Sequence, residues 1–220
     1  MKRSMVLVVW SLLSMNAAAD GPRGRPVIDA AFGFNTILTD QHTRLRGVSL
    51  SWDGGDPYGS QPKVIPSSVQ LQRLAESFGL NTIHVYLEGN ASQNPNPVGV
   101  NLLDADALVA ATRSAGLYLI LTIGCNGENG SIHSMDFARD FWSLYAPRYK
   151  DETHVIFEAH NEPALYTPSQ WTVQDWSQQV ELYHHIRDRA PNSLILLGSF
   201  MGFAGDPTFG INFLAANGVS

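Results

Sequence analysis

The connections along this chain are lopsided, and that asymmetry limits its fold more than any other feature. Five β-branched or aromatic runs read as strands, at 46–52, 81–87, 117–123, 154–162 and 193–197. After each of the first three comes a long stretch rich in Gly, Pro, Asn or Asp, at 53–62, 88–100 and 124–130. The returns from helix to strand are short. Strands alternating with helices require right-handed crossovers and a parallel sheet. Long loops confined to the carboxyl ends of the strands are the pattern of a (β/α)8 TIM barrel, whose site is built on them. The pattern predicts an α/β fold in which about five to six βα units of such a barrel are present. An open doubly wound sheet is the competing topology, and it would carry a Gly-rich phosphate turn after its first strand. Asp53-Gly54-Gly55-Asp56 stands there instead, and its two acids would repel a phosphate.

The helices between these strands carry their own boundary signals. Ser67 and Ser68 cap a first helix whose buried stripe is Leu71, Leu74, Ala75 and Phe78, and Gly79 ends it. A second spans 103–115 with Leu108, Ala111 and Ala115 on one side and Gly116 as its stop. Ser134 caps a third, with Phe137, Phe141, Leu144 and Tyr145 in line, and a fourth runs over 173–190 through Val173, Trp176, Val180 and Tyr183. The spacing puts Trp142 and Trp176 in the core, and His184-His185 reads as a solvated helix face. Upstream, the two apolar stretches flanking residues 39–42 predict a hairpin turning there. Residues 198–220 carry no clear stop signal and read as the approach to a sixth strand near Ile211.

Charge and cysteine usage exclude several function classes. The 220 residues carry a formal charge of −6, so nothing favours a nucleic-acid partner. Lys2 and Arg3 followed by an apolar run and Ala17-Ala18-Ala19 read as a signal peptide over residues 1–19, with the barrel domain at 20–220. That run is too short to span a bilayer, so after its removal no membrane partner is expected and the protein is secreted or periplasmic. Its loss takes two cations and moves the charge from −6 to −8. The lone Cys125 supports neither a disulfide framework nor a cysteine-based zinc site. No His-x-His or His-Glu-x-x-His spacing occurs, so no metal or other cofactor is expected.

The stretch His154-Val155-Ile156-Phe157-Glu158-Ala159-His160-Asn161-Glu162-Pro163 carries the chemistry. Alternation along a strand puts Ile156, Glu158, His160 and Glu162 on one face. Three titratable groups on one face of an apolar strand are costly to bury without partners, so this face is expected to line a cleft with Glu162 at its mouth. Cleaving a glycosidic bond needs an acid for the departing oxygen and a second carboxylate for the sugar cation. Glu162, with Glu158 below it and apolar neighbours, fits an acid whose proton is held by burial and nearby negative charge. The Asn161 amide is able both to donate to and to accept from sugar hydroxyls. Trp52 and Trp171, at or after strand ends, offer aromatic faces for stacking on sugar rings.

From about Phe34 to Leu197 the chain resembles glycoside hydrolase family 5, the cellulase-like retaining β-glycosidases. The resemblance is carried by Leu45-Arg46-Gly47-Val48-Ser49, Phe78-Gly79-Leu80-Asn81-Thr82-Ile83, Ala115-Gly116-Leu117-Tyr118-Leu119-Ile120 and the run from Val155 to Pro163. It implies hydrolysis of a β-linked polysaccharide or oligosaccharide, with Glu162 as acid/base and Asn161 holding the sugar beside the scissile bond. Two positions depart from the family pattern. His84 stands where an arginine is usual on the second strand, and Gly124-Cys125-Asn126 stands where a histidine ends the third; His84 and Asn126 are the expected substitutes in substrate binding. Glu158, His160 and His84 are expected to form a network that tunes Glu162. The family's nucleophile is a glutamate on a seventh strand, and no glutamate of this chain is suitably placed. The expectation is therefore a C-terminally incomplete chain, insoluble or inactive on glycans when expressed alone. The alternative is a non-catalytic or degenerate glycan-binding barrel fragment.

Overall fold

The computed structural model describes residues 23–29, 36–50, 65–87, 102–123, 134–161, 173–197 and 208–220. A small antiparallel pair comes first, β1 (Val27–Asp29) with β2 (Thr36–Leu38). Five parallel strands follow: β3 (Gly47–Ser49), β4 (Thr82–Leu87), β5 (Tyr118–Ile123), β6 (Val155–Glu158) and β7 (Ile195–Leu196). They lie side by side in chain order, β3-β4-β5-β6-β7. A doubly wound sheet reverses its strand order at a switch point. This sheet has no reversal, so each crossover turns the same way, as in a barrel.

The helices give the same answer. They are α1 (Ser68–Phe78), α2 (Leu102–Ser114), α3 (Met135–Tyr149), α4 (Val173–Arg187) and α5 (Thr208–Ala216). One continuous core joins Leu71 of α1, Leu108 of α2, Trp142 of α3 and Ile186 of α4 to Ile83, Val85, Leu119, Leu121, Val155 and Phe157 of the strands. Those strand residues share one face of the pleat. The first four helices therefore cover a single face of the sheet, where a doubly wound fold needs both. The register places Ser49, His84, Ile120 and Ile156 in one row on the opposite face, with Tyr86, Thr122, Glu158 and Leu196 in the next row up. This is the inner face of a partial barrel.

Local sequence explains the element ends. Ser67 and Gln70 form a reciprocal capping box at α1, the Ser67 N–H donating to Gln70 Oε1 at 2.9 Å. Gly79, at φ 64°, closes the same helix by donating to the Ala75 carbonyl at 2.9 Å. Gly47 is required by packing. A Cβ there would sit 2.4 Å from the Thr82 carbonyl oxygen, so any side chain would push β3 off β4.

The β1–β2 pair closes the amino-terminal end of the sheet. The buried Tyr118 hydroxyl accepts from the Asp40 N–H at 2.8 Å, and its proton lies between the Gly24 carbonyl and Asp40 Oδ1, each at 3.0 Å. Arg23 adds a bond from Nε to the Gly116 carbonyl at 2.7 Å, and Arg25 one to the Lys150 carbonyl at 2.8 Å.

The turn expected at residues 39–42 is present: Thr39 Oγ1 accepts from the N–H groups of Gln41 and Thr43, and Leu38 forms an antiparallel bridge with Arg44 across it. The longer pairing of Val27–Asp29 with Thr36–Leu38 precedes that turn. Other expectations need correction. Phe78 and Val173, expected in buried helix stripes, are exposed. Ile211 lies in α5, not at a strand; Gly210 of that helix sits against the Trp176 ring, where a Cβ would come within 2.2 Å. His184 and His185 are not simply solvated. His185 Nε2 lies 2.8 Å from the Arg139 carbonyl and 3.0 Å from Ser143 Oγ, tying α4 to α3, while His184 Nε2 lies 2.8 Å from the Asn217 carbonyl beyond α5. Helical periodicity alone does not show which neighbour a polar face meets.

Candidate functional site

The inner face carries three groups that converge across β3, β4 and β6. His84 Nε2 lies 2.7 Å from Glu158 Oε2, and His84 Nδ1 lies 3.4 Å from Ser49 Oγ. The pleat explains the meeting. His84 is registered with Ser49 on one side and Ile120 on the other, and Glu158 stands one row higher on the next strand but one. The imidazole reaches over Ile120 to the carboxylate. Exposure falls along the chain of groups: the His84 side chain is 22% exposed and that of Glu158 is 7%. A carboxylate this buried needs such a partner, since stripping it of water unpaired costs several kcal/mol. Tyr86 holds the ring edge-on, with centroids 5.2 Å apart.

The pair fixes a tautomer. A carboxylate only accepts, so Nε2 carries the hydrogen and donates to Glu158. In the neutral ring Nδ1 is then the acceptor, placed to receive the Ser49 hydroxyl. Below this chain of groups is a cavity of about 320 Å³, lined by Leu45, Gly47, Ser49, Thr82, His84 and Ile120 among others. Among the described residues, Glu158 is the only carboxylate on the inner face of the five parallel strands.

His160 follows β6 and is buried. Its Nδ1–H donates to the Asn161 carbonyl at 2.8 Å. Burial pushes its imidazole below the ordinary histidine range; the Asn161 carbonyl and the Glu158 charge pull the other way without overcoming it. His160 is thus a neutral ring at physiological pH, coupled to Glu158 through space and to the backbone of Asn161 directly. Asn161 itself is half-buried.

The structure brings together His84 and Glu158, expected separately as a substrate-binding group and a tuning group. Both ring nitrogens of His84 face protein atoms. His160 lies near them but bonds to the backbone. Glu162, Trp52, Asn126 and Trp171 lie outside the described residues, as do the signal-peptide positions 1–19 and Cys125. Ser49 was not singled out as a site residue. Its signal is the register alone, since Gly47-Val48-Ser49 puts position 49 on the same face as His84.

Residues 36–210 match the model of the cellulase family, glycosyl hydrolase family 5. No curated protein matches the chain. Solved structures of like fold include the catalytic domain of the Thermobifida fusca endoglucanase Cel5A in complex with cellotetraose, at 21% identity and a TM-score of 0.56 over 84% of this chain and 59% of that one. A thermostable, halotolerant family 5 cellulase from an Icelandic hot spring isolate aligns at 19% identity and a TM-score of 0.58, over 80% of this chain and 54% of that one. A hyperthermophilic endocellulase from the archaeon Pyrococcus horikoshii aligns at 19% and 0.51, over 80% and 56%. The chain thus spans under two thirds of the length of these neighbours. Among the described residues, no helix is long and apolar enough to cross a membrane.

Proposed function

Because the chain belongs to the cellulase family, glycosyl hydrolase family 5, we propose that its protein hydrolyses O-glycosidic bonds in a β-linked glycan. Cellulose, β-mannan or a related glucan is the substrate class, and export to the periplasm or beyond the cell follows from the leader at residues 1–19. The reaction is a retaining double displacement. Glu162 protonates the leaving oxygen and then, as the base, activates the water that releases the sugar. Asn161 hydrogen-bonds the sugar next to the scissile bond, and Trp52, Asn126 and Trp171 complete the binding surface. The observation that carries this reading is the buried His84–Glu158 pair on the inner face, four positions before Glu162 in the sequence. A carboxylate near the acid would favour the protonated form of that acid, as catalysis near neutral pH demands.

The second carboxylate is the nucleophile, and the inner face of the described strands does not supply it, because Glu158 is engaged with His84. The proposal assigns it outside those strands. The test is a hydrolysis screen of the full-length product on cellulose, β-mannan and mixed-linkage glucan, beside a Glu162→Gln variant. Loss of an acid/base costs roughly 10²–10⁴-fold. The expected result is a loss of that size on glycans and a much smaller one on aryl glycosides, whose leaving group needs no proton. Equal activity of the two proteins on glycans would sink the assignment. Binding without turnover by the full-length product would instead support the degenerate, glycan-binding reading.

A further inference from the structure

Ser49, His84 and Glu158 follow one another by polar contacts beside the cavity, the Ser49 hydroxyl lying 3.4 Å from His84 Nδ1 and 3.5 Å from the His84 carbonyl oxygen. We propose that this Ser–His–Glu chain is a nucleophilic triad able to open short-chain carboxylic esters. The activity is separate from glycoside hydrolysis and does not depend on Glu162. Three observations carry it. The hydroxyl, imidazole and carboxylate follow one another at 3.4 and 2.7 Å. That is nucleophile, base and orienting acid, the arrangement by which an ordinary serine is activated, and the first contact is commonly loose without substrate. Burial runs the correct way, from an exposed Ser49 through a partly exposed His84 to a buried Glu158. The carboxylate therefore has no better partner than the imidazole, and Nδ1 is left free to accept.

The third observation is the space. Ser49 and His84 line a cavity of about 320 Å³ whose other walls include Leu45, Val48 and Ile120. That is the low end of the range of small-ligand pockets, which accommodates an acetyl or similar acyl group.

The chemistry balances without a further reactant. Ser49 Oγ attacks the ester carbonyl carbon while its proton passes to His84 Nδ1. The carbonyl–oxygen bond to the alcohol breaks, and the alcohol leaves with that proton. Water then gives a proton to Nδ1 and attacks the acyl carbon. The bond to Oγ breaks, Ser49 regains its proton and a carboxylic acid departs. Glu158 accepts from Nε2–H and holds the imidazole in place throughout.

The test uses the purified full-length product with p-nitrophenyl acetate and, separately, diisopropyl fluorophosphate, each followed by peptide mass mapping. The expected result is one acetyl or phosphoryl group per chain on the peptide bearing Ser49. Ser49→Ala should abolish the label and slow p-nitrophenol release by roughly 100-fold or more. Ser177→Ala is the control: its hydroxyl only bonds the Val173 carbonyl on an exposed helix face, so it should change neither readout. Label scattered over lysines or other serines, absence of label on native protein, or a Ser49→Ala rate within about twofold of the parent would overturn the proposal. Because labelling is read on the unaltered chain, a variant that fails to fold does not blunt the test. The outcome is also independent of Glu162, so failure here leaves the glycosidase reading where it stands.

Discussion

Replacing Tyr118 by Phe should unfasten the amino-terminal pair of strands from the barrel floor. The ring is fully buried, and the substitution keeps it, so no cavity of consequence opens. What goes is one oxygen that accepts from the Asp40 N–H at 2.8 Å and donates toward the Gly24 carbonyl and Asp40 Oδ1 at 3.0 Å. Two net bonds at about 1 kcal/mol each, plus about 1–3 kcal/mol for a part-buried N–H left without a partner, sum to roughly 3–5 kcal/mol. Asp40 still accepts from the Gly24 N–H at 2.7 Å, which holds the loss below the upper figure. Urea unfolding followed by tryptophan fluorescence reads the difference at neutral pH. A second, independent signature comes from alkali. Burial first, with the Asp40 carboxylate adding to it, pushes the Tyr118 hydroxyl up to about 12. The unfolded chain gives up this proton near pH 10 and the folded one holds it longer. The stabilisation is therefore complete below pH 10 and drains away as pH rises to about 12. The Phe variant has no such proton, so the gap between the two proteins should shrink between pH 10 and 12. A gap under about 0.5 kcal/mol at neutral pH, or one that stays constant through that window, refutes the reasoning.

Two further substitutions test the interior. Glu158→Gln replaces a buried, charge-assisted bond by a neutral one, and should lower stability by roughly 1.5–3 kcal/mol in denaturant titration. In the full-length product it should also shift the pH optimum of glycan hydrolysis toward acid, since a charge that helps Glu162 keep its proton is gone; an unmoved optimum would count against the tuning role. His154 is fully buried under β6, with Nε2 3.1 Å from the Val109 carbonyl. Burial holds its imidazole below the ordinary histidine value, with the nearby Glu152 opposing this only in part. The unfolded chain takes up a proton below pH 6.5 and the folded one resists, so this contribution is present above pH 6.5 and is lost as pH falls. His154→Gln should give a shallower decline of unfolding free energy from about pH 6.5 to 4.5, and an unchanged slope there would exclude His154 as its source.

What the sequence could declare was whatever is set by neighbours in the chain. The caps at Ser67 and Ser134 and the stops at Gly79 and Gly116 are local, and they stand where the residues put them. The alternation of loop lengths is local too, and it carried the barrel over the open sheet; strand order and the one-sided placement of the helices agree with it. Two misreadings depended on distance. The approach to a strand near Ile211 failed because an apolar run of this length fits either element until it is known that Gly210 lets α5 lie on Trp176. The pairing of His185 with Arg139 and Ser143 joins two helices more than 40 residues apart, and no periodicity within α4 announces it.

The site followed the same rule with one instructive exception. That Glu158 faces inward was legible from alternation, because a strand has only two faces and the apolar residues had taken one. That it meets His84 was not, since the contact needs the registers of β4 with β5 and of β5 with β6 to add up. An arginine is expected by resemblance at position 84, and it would bring a longer, permanently charged fork with no acceptor. An imidazole there changes what the inner face can do. It passes a hydrogen bond through, accepting at Nδ1 what Nε2 returns to Glu158, and so links Ser49 to a buried carboxylate 109 positions away in the sequence. Restoring the family residue makes the dependence measurable. His84→Arg should keep the partner of Glu158, and hence most of the stability, while removing the only base within reach of the Ser49 hydroxyl among the described residues. Acylation of Ser49 should disappear in a protein that still unfolds within about 1 kcal/mol of the parent. Retained acylation would mean that Ser49 is activated by some other group, and the imidazole would then be no more than a spacer between two strands.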